Sequence, residues 1–191
     1  FLVALPFGTF IALTTFAQPL LEPAGVSVDT AGVMLLLNVV AGIIGCAVVP
    51  VLAARMQREV FFMVTGLVAA GIGCVALAFA PGAVVGFLAL SAVGLLLVPA
   101  LPVVLELTER RTGEAEGLAA GMIWMAGNLG GLVIASIVGV LVDNPTPAFL
   151  VAAGAAVVGI PAALALRSFI DGLRPVWDAA RGADQSEQLL K

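Results

Sequence analysis

Six apolar stretches, each about long enough to cross a bilayer as a helix, occupy most of this sequence and leave few folds open to it. They run over about residues 1–21, 32–54, 60–80, 84–105, 118–142 and 148–166, bracketed by charge and by Pro/Gly punctuation. A spanning helix needs about 20 predominantly apolar residues. Lipid offers no hydrogen-bond partner to an open backbone, so such stretches must be helices or strands of a closed barrel. The period-2 alternation of barrel strands is absent from them. The expected fold class is therefore an all-α membrane protein, with a single six-helix transmembrane bundle over residues 1–166 and no separate soluble domain. Composition agrees: 10% of the residues are charged, against roughly 25% in soluble domains.

The connections carry an independent signal. Arg55 and Arg58 lie between stretches two and three, Arg110 and Arg111 between four and five, and Arg167, Arg174, Arg181 and Lys191 after six, which accounts for all eight basic residues. The other three connections, 22–31, 81–83 and 143–147, contain none. Cytoplasmic loops are enriched in Lys and Arg, so alternate loops share one side only if the number of spans is right. The expectation is a multi-pass protein of the plasma membrane with both ends cytoplasmic. In the tail, 167–191, Phe169, Ile170, Leu173, Val176 and Trp177 recur at helical spacing, which predicts a short interfacial helix kinked or restarted at Pro175; 182–191 are expected to be disordered. The sequence starts at Phe1 inside an apolar run, and is read as a fragment.

Several function classes drop out. There is no histidine, so hydrolysis by a Ser/His pair is excluded and the commonest metal ligand is missing. Cys46 and Cys74 both sit in apolar runs, without CxxC spacing, and pack as small hydrophobes. No enzyme activity, metal or cofactor is expected. The net charge of −4 comes from acids in loops and tail and reads as a solvated surface; no nucleic-acid partner is expected.

What remains are the few polar side chains inside the spans, since a polar group in hydrocarbon needs a partner or a water-filled cavity. In the first span Phe7, Phe10, Thr14 and Gln18 share one helical face, and Pro6, Gly8 and Pro19 can break its regularity. Thr14 and Gln18 either face a cavity, or bond the helix's own backbone and sit in the headgroup layer, respectively. In the fifth span Trp124 and Asn128 are four apart on one face. Asn128 either binds a solute or ties two helices together, and Asn38 in span two carries the same two readings. Gly127, Gly131, Ala135 and Gly139 form a ridge that another helix can approach closely. Glu106 and Glu109, one turn apart beside Arg110 and Arg111, form a charge cluster at the end of span four or a proton relay.

Gly42, Gly45 and the run Ala54-Arg55-Met56-Gln57-Arg58 resemble the glycine-rich helix end and basic loop of major facilitator transporters, although Ala54 stands where that family usually has an aspartate. Residues 101–131, LPVVLELTERRTGEAEGLAAGMIWMAGNLGG, are similar to the branch of that superfamily named for the feline leukaemia virus subgroup C receptor. Thr9 to Gln18 resemble that branch's first helix of the second half. The resemblance covers most of residues 1–143. It implies that the chain is the C-terminal six-helix half of a major facilitator fold, built as a three-plus-three inverted repeat, and that it moves a small organic solute by alternating access. Choline, ethanolamine and haem are discussed for animal members of the branch. Asn128 matches a cavity glutamine there and Phe10 a cavity tyrosine. The residues expected to bind the solute are Phe10, Thr14, Gln18, Trp124 and Asn128, and the expected partners are the solute, the lipid bilayer and the N-terminal six-helix half of the same protein. A self-contained six-span channel or scaffold subunit is the alternative.

Overall fold

The computed structural model describes residues 4–56, 58–105 and 116–165. Among these, every regular element is helical: α1 (Ala4–Leu21), α2 (Val28–Met56), α3 (Glu59–Phe79), α4 (Ala83–Leu97), α5 (Glu116–Val140) and α6 (Pro145–Ala165). With the continuation of α4 to Leu105, six helices are long and apolar enough to cross a membrane. The chain is a multi-pass helical membrane protein. The predicted tail helix and the Glu106/Glu109 cluster lie outside the described residues.

Boundaries shift for identifiable reasons. The helix expected from 32 begins at Val28, because Ser27 caps it: its Oγ accepts from the Thr30 N–H at 3.2 Å in the N-cap manner. Asp29 in the first turn suits the positive end of the helix dipole. Gly25, at φ 78°, closes the preceding turn after the short 3-10 segment Glu22–Ala24. The sixth helix begins at Pro145 rather than 148, since proline needs no N–H partner in a first turn. The fourth stretch, expected as one helix over 84–105, is broken. Pro99 has no N–H to give the Leu95 carbonyl, and the Val98 N–H reaches back five residues to Val93 at 3.4 Å. Val98 and Pro99 form a turn, after which 100–105 are helical again.

The helices pack in specific pairs. The α1 helix lies against α5, α2 against α4, and α3 against α4; α6 packs on α3, where Leu67 reaches Gly159 and Val157 reaches Gly71. Two of these crossings are backbone-close. In α2–α4, a Cβ at Gly94 would run into the Asn38 carbonyl, and one at Gly45 into the Leu95 carbonyl. In α1–α5, a Cβ at Gly130 would run into Ala4, and one at Gly8 would come within 2.7 Å of the Gly130 carbonyl. Small residues permit such approach, and dispersion rather than water exclusion supplies the gain in lipid.

The buried stripe of α2, Asn38, Gly42, Gly45 and Val49, recurs in α5 as Gly127, Gly131, Ile134 and Val138. Each residue of the second set stands 89 positions after its counterpart in the first (38 to 127, 49 to 138). These are also the two helices with the broadest apolar exposure, including Leu36, Ile43 and Ile44 on α2 and Met125, Leu129 and Leu132 on α5. The main core is built chiefly from α1, α3, α4 and α6, joined by Ala31 and Met34 of α2 and Ile134 and Val138 of α5. A second, separate core of Ala53, Met63, Ala100 and Val103 lies at the end where α2 gives way to α3.

Candidate solute-binding face

The α1–α5 crossing gathers most of the residues expected to bind a solute. Helical periodicity puts Phe7, Phe10 and Thr14 on one side of α1, and the glycines of α5 let Trp124 come beside them. The Phe7 and Trp124 rings meet edge-to-face, with centroids 5.9 Å apart and planes at 86°. Phe7 and Phe10 lie 6.3 Å apart at 32°. Such ring pairs contribute about 0.5–1.5 kcal/mol beyond their burial. Trp124 stays 46% exposed, so the cluster presents open aromatic surface at the flank of the bundle.

Asn128 sits one turn along α5 from Trp124 and is exposed. Its Nδ2 donates to the Trp124 carbonyl at 2.8 Å, so the amide bonds its own helix and, among the described residues, ties no second helix to α5. Thr14 behaves likewise: its Oγ1 donates to the Phe10 carbonyl at 2.9 Å and approaches that of Ile11 at 3.2 Å. Gln18 is exposed but stands eight residues beyond Phe10, about 12 Å along the helix. Phe10 and Trp124 are thus joined through Phe7, Asn128 and Thr14 flank them, and Gln18 is not brought to the aromatic group.

Asn38 has the other of its two readings. It is 1% exposed, and its Nδ2 donates to the Leu90 carbonyl of α4 at 2.6 Å, which makes it a tie between helices. Its Oδ1 and the Thr9 Oγ1 are buried without a hydrogen-bond partner in the structure. Sequence reasoning did not single out Thr9 as a buried polar group; the available signal was a hydroxyl next to Gly8 on a helix whose neighbours are apolar. The expected glycine ridge of α5 faces α1, with Gly131 against Ile11 and Gly139 against Phe16. Gly130, outside that four-residue spacing, makes the closest approach.

Among the described residues no titratable side chain takes part in the aromatic cluster, which offers ring surfaces and an amide for recognising a solute. Among the described residues no cluster of acids and thiols could hold a metal ion. A cavity of about 420 Å³ lies elsewhere, between α3 and α6, lined by Leu67, Gly71, Ile72, Val75, Val157 and Ile160 among others; its lining is apolar and includes none of the residues expected to bind a solute.

No protein-family model matches the chain. An uncharacterized protein of Archaeoglobus fulgidus is 28% identical over 128 residues, which is 66% of this chain and 59% of that protein.

Proposed function

We propose that the chain is one half of a secondary transporter of the major facilitator type, carrying a small organic solute by alternating access. The supporting observation is the exchange of helix pairs. Exchanging helices one to three with helices four to six turns the α1–α5 pair into the α4–α2 pair, and the buried stripe of α2 returns in α5 at a constant offset. An inverted repeat of three helices produces that pattern, and such repeats place the substrate near the midplane between them. Phe10, Trp124 and Asn128 form the solute face in this reading, with Thr14 and Gln18 continuing it along α1. The N-terminal six-helix half of the same protein closes the cavity from the other side. The protein sits in the plasma membrane with its C-terminus in the cytoplasm.

The test is uptake by vesicles containing the complete protein, assayed with amines, organic anions and sugars. Asn128→Ala and Trp124→Ala are expected to cut uptake of the accepted solute at least tenfold without loss of folded protein. Unchanged uptake of every accepted solute would take both residues out of the site. Thiol labelling of single cysteines at Arg110 and Asp143 should find them on opposite sides of the membrane.

A second reading has one observation in its favour. If 128 residues are 59% of the archaeal relative, that protein has about 217 residues, enough for one such bundle and not two. A six-span channel or scaffold subunit that oligomerises fits that length. Twelve hydrophobic segments in the full reading frame support the transporter, and six support the oligomer.

A further inference from the structure

We propose that the end of α2 and the 100–105 segment form a paired unit that swings, relative to α3, on a hinge made by Pro50 and Pro99. Three observations converge on it. First, each proline withholds a backbone donor inside a span, from the Cys46 carbonyl in α2 and from the Leu95 carbonyl in α4. Each of these places lacks one ladder hydrogen bond that would otherwise resist bending. The winding around the second is already loose, with Val98 N–H to Val93 at 3.4 Å and Leu101 N–H to Val98 at 3.3 Å.

Second, the two breaks adjoin. Gly45, five residues before Pro50, faces both the Leu95 carbonyl and the Pro99 ring, whose Cγ lies 2.8 Å from where a Cβ would be. Gly66 of α3 faces the Leu96 carbonyl. Glycine Cα–H groups thus cover carbonyls at the break as weak donors, and with no side chain they leave the two helices free to tilt over one another.

Third, the packing divides at the same level. Ala53, beyond Pro50, and Ala100 and Val103, beyond Pro99, join Met63 in a core separate from the main one. Two of its four members are alanines, and Phe62 of α3 and Val104 pack on it only partly buried, so the contact that holds the pair on the unbroken α3 is small. Sharp bends in long helices fall at proline or at another break in the ladder.

The test uses the complete protein in bilayer nanodiscs, with Cys46 and Cys74 replaced by alanine and a single cysteine placed at Ala53 or Val103, which are 1% and 3% exposed. A water-soluble maleimide is expected to label both positions, and Pro99→Ala, which restores a donor to Leu95, is expected to slow labelling at both at least tenfold. Absence of labelling at either position, or equal rates with and without Pro99→Ala, overturns the hinge. Spin labels at Met56 and Ile72, exposed on α2 and α3, on cysteines in a Cys46→Ala, Cys74→Ala background give a second measurement should Pro99→Ala fail to fold. Two interspin distances are then expected, and one narrow distance overturns the proposal.

Discussion

The α1–α5 and α2–α4 crossings are built alike and used differently. Both seat one backbone on another through glycine, at Gly8 and Gly130 in the first and at Gly45 and Gly94 in the second. Yet in α2–α4 the asparagine is buried and reaches across to Leu90, whereas in α1–α5 the asparagine is exposed and turned onto its own helix. The stripes explain the difference: the α5 position corresponding to Asn38 is Gly127, and Asn128 is one residue further on, about 100° around the helix. One residue's displacement converts a tie between helices into an open amide beside Trp124. The α2–α4 crossing is locked with a polar bond, and the α1–α5 crossing keeps its polar group available.

Eight substitutions break or sharpen this contrast. The largest effect is expected at the seats. Gly45→Leu and Gly130→Leu each drive a side chain into backbone and should cost about 3 kcal/mol or more, seen as loss of monodisperse protein in detergent. Gly32→Ala and Gly121→Ala meet open space and should leave thermal stability unchanged or raise it by up to about 1 kcal/mol. Next, Trp124→Ala removes the edge-to-face contact with Phe7 and should cost about 1 kcal/mol in a melting experiment. Asn38→Leu should cost about 1 kcal/mol, the worth of an interhelical hydrogen bond, while Asn128→Leu should leave the melting temperature unmoved. Equal losses at the two asparagines would erase the distinction drawn between the crossings. The smallest effect is at Thr9, whose buried hydroxyl has no partner: Thr9→Val should be neutral or stabilising by about 0.5–1 kcal/mol.

The six helices were legible because charge and apolar runs alternate so cleanly, and capping explains the offsets at Val28 and Pro145. The break in α4 was not read, although Pro99 lies in the run. A proline within an apolar stretch can kink a span or simply be accommodated, and which occurs depends on the neighbour, here Gly45. The aromatic part of the candidate site was half legible. Periodicity put Phe7 and Phe10 on one face, and Trp124 and Asn128 on another, but their meeting follows from the depth at which Gly130 lets α5 settle on α1. The two asparagines looked equivalent in sequence because burial of an amide is decided by a few tens of degrees of helix rotation. Gln18 shares the periodic face and still misses the rings, since periodicity fixes direction around a helix and not distance along it.

The length of α2 bears on the surrounding lipid. With 29 residues it measures about 44 Å, longer than a hydrocarbon layer about 30 Å thick is deep. It must lean or project into the headgroups. Acyl-chain length therefore becomes a variable to which its tilt, and whatever depends on that tilt, will respond.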